Sequence, residues 1–203
     1  MKTKNRMNMQ FVGVDYGSKL AGTTVLSFLD EGGKVRFMTS EKKKDADQFL
    51  LDAVMDLKPS YIFFDAPLSL PGVYTKPDAF EDYFYRKGDK LLKAMSPMFL
   101  GGLTARAMRL KKAFEGQGIK VVETYPAVHA QRMELKLYHY KKQLQYIPDV
   151  LAVLQHNLPF GVDWESIKTG HQVDALLAFY AGFRFVNDEA ESFGDAEEGV
   201  IWV

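Results

Sequence analysis

Residues 49–67 read FLLDAVMDLKPSYIFFDAP, and the period of the apolar positions changes midway. Phe49, Leu50, Ala53, Val54 and Leu57 recur at helical spacing, and Pro59 stops the helix. Tyr61-Ile62-Phe63-Phe64 is then apolar without alternation, as in a strand covered on both faces. A strand reached through a helix should lie parallel to an earlier strand. The earlier strands lie upstream. Gln10 to Tyr16 holds a short apolar run closed by Gly17-Ser18, and Leu20 to Leu29 reads as a second strand. Asp30-Glu31-Gly32-Gly33 is a hairpin turn, and Lys34 to Thr39 alternates with Val35, Phe37 and Thr39 on one face. Three strands with short connections predict an antiparallel meander, and the helix-linked strand adds a parallel neighbour. Downstream, Asp78 to Lys93 and Thr104 to Glu115 read as helices, and Ile119 to Glu123 as a fifth strand. Two helices are expected within Val128 to Leu158. Thr169 and Gln172 form a capping box for a helix running to about Val186, and Gly199 to Val203 reads as a short closing strand. The chain is therefore expected to be one α/β domain.

Composition bounds the function. The 203 residues carry 26 Lys+Arg against 26 Asp+Glu, so bulk basicity is not available to grip nucleic acid. Apolar residues make up 47%, enough for a substantial core. The absence of Cys removes a disulfide framework, a thiol nucleophile and a thiolate zinc site. No apolar run approaches a membrane span, and Met1 to Gln10 lacks the apolar segment of a secretory signal, so a cytoplasmic protein is expected. Oligomeric state leaves no trace in the sequence.

Four acids stand out by position. Asp15, Asp65 and Glu123 close the first, fourth and fifth strands, and Asp174 lies near the start of the last long helix. If those strands are parallel, their carboxyl ends share the sheet edge where ligand sites of α/β proteins gather. Clustered carboxylates repel unless some protonate or a cation joins them. An all-oxygen set without thiolate favours Mg²⁺ or Mn²⁺, and two such ions can hold the attacking and leaving oxygens of a phosphodiester displacement. Taken one at a time, such acids also serve as ordinary turn and helix caps.

Gly13-Val14-Asp15-Tyr16-Gly17-Ser18, the run Phe63 to Pro71, Glu123-Thr124-Tyr125-Pro126, His171-Gln172-Val173-Asp174-Ala175-Leu176 and the closing Glu198 to Val203 occur in that order. Together they resemble the predicted RNase H-like nuclease family, domain of unknown function 429, over nearly the whole chain. The resemblance implies a central mixed sheet of five strands, three antiparallel and then two parallel to the first, flanked by helices. It implies a single RNase H-like domain over 1–203, with a flexible segment at 1–9 and mostly helical insertions at 70–118 and 126–168. It further implies that Asp15, Asp65 and Asp174 are metal-binding acids, Asp15 serving two ions, and that Glu123 binds metal or orients water. Gly170 stands where many relatives carry an acid. Arg86, Asp89 and Arg106 match polar positions of the inserted helices.

Ser18, Arg86, Arg106 and His171 are the candidate substrate contacts. Arg106, Arg109 and Lys112 share a helix face that suits phosphates or simply water. His171 lies three residues before Asp174, placed for proton transfer, for a phosphate contact or for a helix-end hydrogen bond. His129 follows the Glu123 strand toward the same edge. Tyr83-Phe84-Tyr85-Arg86-Lys87 interleaves aromatics with bases; packing of an amphipathic helix is the simpler reading, and stacking on unpaired bases the alternative. The function expected is metal-dependent hydrolysis of a phosphodiester in DNA or RNA. A non-catalytic nucleic-acid- or protein-binding module on the same fold is the first alternative. An ATP-binding actin-like half, suggested by Gly13 to Ser18, ranks last because no second phosphate loop is present.

Overall fold

A computed structural model describes residues 10–141 and 144–203. The flexible segment expected at 1–9 lies outside the described residues. The chain opens with β1 (Phe11–Asp15), β2 (Val25–Leu29) and β3 (Lys34–Thr39). The β2–β3 hairpin closes on Asp30, whose Oδ1 accepts from Lys34 N at 2.8 Å. Helix α1 (Ala46–Leu57) starts under the Asp45 carboxylate, which accepts from Asp47 N at 2.9 Å, and ends on Lys58 in the left-handed region before Pro59. It delivers β4 (Tyr61–Asp65). Helices α2 (Lys87–Leu92), α3 (Pro97–Leu100) and α4 (Gly102–Glu115) lead to β5 (Lys120–Thr124). Then come α5 (Pro126–Arg132), α6 (Ile147–Asn157), β6 (Gly161–Val162), α7 (Gly170–Val186), β7 (Ser192–Asp195) and β8 (Gly199–Trp202). The capping box of α7 is formed: Thr169 Oγ1 accepts from Gln172 N, and Gln172 Oε1 accepts from Thr169 N at 3.1 Å.

The sheet runs β6-β3-β2-β1-β4-β5-β8-β7. β1, β2 and β3 are antiparallel, and β4 and β5 follow parallel to β1. The expected five strands thus form the centre of an eight-stranded mixed sheet. Outside that centre, two-residue β6 parallel to β3 forms one edge, the expected closing strand β8 lies parallel to β5, and β7 antiparallel to β8 forms the other edge. Two other expectations are corrected. The second strand begins at Val25, because 20–24 loop over the end of the sheet, Thr24 N donating to Ser40 Oγ at 3.1 Å. The helix expected over 78–93 shortens to α2, because Asp82 Oδ1 accepts from Phe84 N at 2.8 Å and Tyr85 N at 2.9 Å and holds a turn instead.

Helices cover both faces. Val12, Val14, Leu26 and Phe64 pack with Leu50 of α1 and Leu110 and Phe114 of α4. On the other face α7 joins α5 and α6 over Val35 and Val162, through Leu176, Phe179 and Leu154. Gly13 sets how close α7 comes: a Cβ there would lie 2.3 Å from Phe179 N and 2.6 Å from Ala175 O. Ser27 Oγ fastens the approach, donating to Ala175 O at 2.7 Å. The N-terminal turns of α7 are thereby held against the end of β1.

Candidate active site

Alternation along β1 places Gly13 and Asp15 on the α7 face, opposite to Val12 and Val14. The parallel register pairs Asp15 with Asp65 across β1 and β4. Asp65 shares its face with Phe63, which packs beneath Gly182 of α7. Two carboxylates on neighbouring strand ends therefore face the same helix. Asp174 comes from that helix one residue before Ala175, the residue seated on Gly13, and is 4% exposed. Of the four acids expected to act together, Asp15, Asp65 and Asp174 are gathered here.

Electrostatics mark the gathering. Burial, then the Asp15 charge, pushes the Asp65 carboxyl up to about 8, with Glu123 adding to the rise and Lys141 opposing it. Burial and the charges of Asp15 and Asp65 hold Asp174 well above the carboxylate range. The phenol of Tyr125, in the turn after β5, is raised by burial and then by the charges of Asp65 and Asp174, so it borders the same group. Three counter-partners approach the acids. His171 Nδ1 lies 2.8 Å from Asp15 Oδ2, and this hydrogen bond raises the pKa of the half-exposed imidazole. Tyr140 donates its hydroxyl to Asp174 Oδ1. Lys141 Nζ lies 2.8 Å from Asp174 Oδ2.

Glu123 is placed elsewhere. β5 pairs Glu123 with Phe64, which puts its side chain on the α1/α4 face, opposite to Asp65. There it accepts both arms of the Arg86 guanidinium, at 2.5 and 2.7 Å, and Leu68 N at 2.8 Å. Burial raises the Glu123 carboxyl against the pull of Arg86. Arg86 is 1% exposed and is completed by Asp89 and Ser69 Oγ. Glu198 sits alongside, accepting from Gly72 N at 2.9 Å and Lys87 N at 2.8 Å. This network ties the loop after β4, α2 and the β7–β8 turn to the sheet, and Arg86 is sealed from any substrate.

Arg106 is similarly engaged. Its guanidinium and that of Arg109 bind Asp47 of α1, at 2.5 and 2.7 Å, and Arg106 stacks 4.8 Å from the Tyr16 ring. Tyr16 donates to the same carboxylate at 2.5 Å. The expected phosphate-binding face is thus an ion-pair clamp between α4 and α1. Ser18 is exposed in the β1–β2 connection. His129 turns inward: it is 1% exposed, packs on Tyr180, and burial lowers it to about 3. Tyr83 and Phe84 are 57% and 53% exposed, which overturns their reading as helix core. With Phe80, Tyr85 and Leu91 they border a cleft of about 840 Å³ that none of Asp15, Asp65 and Asp174 lines.

No family model, curated protein or solved structure matches this chain.

Chemically, carboxylate oxygens are the donors that suit a hard cation. Mg²⁺ binds through one or two carboxylates and keeps waters or takes substrate phosphates for the rest. The in-register pair Asp15 and Asp65 would be the donors for such an ion. Among the described residues no group of three or more His, Cys, Asp or Glu is arranged so that it could hold a metal ion. Lys141 and Tyr140 are the residues the sequence did not mark. Their only signal is the run Tyr138-His139-Tyr140-Lys141, and nothing in its spacing points to Asp174, 33 positions beyond Lys141. No helix among the described residues is long and apolar enough to cross a membrane.

Proposed function

We propose that this chain is a divalent-metal-dependent hydrolase of phosphodiesters built on an RNase H-like domain, with nucleic acid as its substrate class. One observation carries the reading: Asp15 and Asp65 end adjacent parallel strands in register, and α7 brings Asp174 down on them. The central strand order, with β4 and β5 parallel to β1 and a meander on its other side, supports the domain assignment. Asp15 and Asp65 would hold Mg²⁺ or Mn²⁺. When bound, the ion supplies Lewis-acid polarisation of a phosphate oxygen and acidifies water. The chain's own residues do the rest. The packing of α7 on the sheet end keeps Asp15 and Asp174 largely buried. His171 fixes the orientation of Asp15 by holding Oδ2, and its half-exposed ring meets what enters.

The test pairs cleavage with binding. Single- and double-stranded DNA and RNA are incubated with wild type and Asp15→Asn in Mg²⁺ or Mn²⁺, and Mn²⁺ binding is read by calorimetry. Metal-dependent cleavage that falls at least about a hundredfold in Asp15→Asn is expected. Equal cleavage by both proteins, or neither cleavage nor Asp15-dependent binding, rejects the reading.

A second reading is a non-catalytic nucleic-acid- or protein-binding module on the same fold. The engagement of Asp174 by Lys141 and Tyr140, with no group of three or more His, Cys, Asp or Glu among the described residues that could hold a metal ion, favours it. Nucleic-acid binding that persists without metal binding supports it.

A further inference from the structure

We propose that the aromatic cleft beside α2 docks a segment of a partner protein whose side chains are apolar and basic. The inference is independent of the hydrolase reading, since none of Asp15, Asp65 and Asp174 lines this cleft.

The surface is apolar, exposed and held in place. Tyr83, Phe84 and Leu91 line the cleft, and each is more than half exposed. The rings continue beyond it: Tyr74 meets Tyr83 edge-on with centroids 5.9 Å apart, and Phe84 lies 5.8 Å from Phe99, which is 63% exposed. Exposed apolar surface gathered in one patch marks a site of association, whereas scattered single side chains do not. The backbone beneath the rings is fastened. Asp82 Oδ1 accepts from Phe84 N and Tyr85 N, Ser96 Oγ donates to Phe84 O, and Arg86, two residues after Phe84, is locked to Glu123 and Asp89. A Cβ on Gly72 would lie 2.4 Å from the Phe80 ring, so that ring is seated against backbone. A platform already ordered loses little freedom when a partner arrives. The volume of about 840 Å³ falls within the range of ligand clefts.

Charge selects the occupant. The charged groups lining the cleft are Glu81, Asp82, Asp195 and Glu198 against Lys87 and Lys90. Lys90 is paired with Asp82, and Glu198 is buried, accepting from Gly72 N and Lys87 N. Glu81 and Asp195 then face a partner against Lys87, so acid is in excess by either count. Glu81 is exposed, and among the described residues its side chain has no hydrogen bond or ion pair. An Arg or Lys side chain suits this lining: its apolar stem covers the rings, and its cationic head meets ring faces and carboxylates. Other occupants fit worse. The phosphates of a nucleic acid would meet the excess of carboxylates. In a two-fold contact between copies of this chain the patch would face itself, acid against acid.

The experiment selects short random peptides displayed on phage against the full chain, then measures the enriched peptides, synthesised with a fluorophore, by anisotropy. Peptides carrying Arg or Lys among apolar residues are expected to be enriched. Their binding is expected to weaken at least about tenfold in Phe84→Ser and about threefold in Glu81→Lys. Both side chains are exposed, so both variants are expected to fold, and unfolding midpoints near that of wild type check it. No enriched peptide, enrichment of acidic or uncharged peptides, or equal binding by Phe84→Ser and Glu81→Lys overturns the proposal. Labelled oligothymidylate and oligouridylate are titrated alongside, and sedimentation velocity reads the association state. Oligonucleotide binding that Phe84→Ser abolishes gives the surface to nucleic acid, and a wild-type dimer that Phe84→Ser dissociates gives it to a second copy; either result overturns the assignment to a basic peptide.

Discussion

Asp65 shows what gathering acids does to a folded chain. Its carboxyl ionises at about 8, against 3.8 in an unperturbed chain, because it is crowded by protein and faces Asp15. The folded pKa is raised, so the favourable protonated state is fully available below about pH 4 and is lost as pH rises through 8. Asp65→Asn is therefore expected to stabilise the metal-free protein at pH 8 by a few kcal/mol, the gap over wild type shrinking as pH falls toward 4. Denaturant midpoints at both ends of that window check it; a gap independent of pH would refute it. His129 has the opposite sign. Burial, and then the charges of Arg184 and Arg132, lower its folded pKa to about 3, and among the described residues Nε2 has no hydrogen-bond partner. The unfolded chain takes up the proton near 6.5 and the folded chain does not, so stability drains as pH falls from 6.5 toward 3, by about 2 kcal/mol at pH 5. His129→Leu is expected to flatten that acid limb in unfolding curves recorded from pH 7 to 4.5, and an unchanged slope would refute it. At this scale the sequence is a partial guide. Asp15, Asp65 and Asp174 were legible because strand ends and an apolar helix mark them. Glu123 misled, because β5 continues to Thr124 and a side chain's face depends on the parity of the register, which the sequence does not carry. Lys141 was illegible because only tertiary folding brings it to Asp174.

Among the elements, α7 is the one on which the site depends. Its seat is Gly13, where any side chain would have to push the α7 backbone away from β1. Gly13→Ala is expected to lower stability by at least about 3 kcal/mol and to displace Asp174 and His171 from Asp15 together. Chemical denaturation reads the first effect and loss of Asp15-dependent Mn²⁺ binding the second; a stable variant with intact binding would contradict the seating argument. The Arg86 network plays the matching part for the inserted segment. Arg86→Met leaves Glu123 and Asp89 buried without a counter-charge and is expected to cost about 3–5 kcal/mol in the same measurement. Arg86→Lys is expected to recover little of that, since a single ammonium cannot reproduce a fork serving two carboxylates. A fully stable Arg86→Met would show that the network contributes nothing. The central strands and α1, α4 and α7 were legible because each has a clear period and a punctuating Pro, Gly or cap. β6 was not, because two residues carry no period. Residues 78–86 were misread because one Asp82 side chain outcompetes helix formation locally.

For the whole molecule, balanced surface charge means that cation binding must be local, and this separates a site from a general ionic atmosphere. A ligand that binds only the folded chain stabilises it by about 2.7 kcal/mol at a hundred times its dissociation constant. For a chain of 203 residues that corresponds to a rise in melting temperature of roughly 5–10 °C. Mg²⁺ and Mn²⁺ are each expected to produce such a rise, and NaCl of matched ionic strength is not, because screening acts weakly on acids that are largely withdrawn from solvent. Asp15→Asn should remove the rise. Arg109→Ala should keep it: Arg109 pairs with Asp47 of the clamp on the other face of the sheet, so its loss is expected to perturb that surface and not the acids. Thermal unfolding of the three proteins with and without metal makes the comparison. A rise surviving in Asp15→Asn would place the cation away from the end of β1. A rise lost in Arg109→Ala would mean that the two faces of the sheet are coupled through Tyr16, which follows Asp15 directly in the chain and binds Asp47.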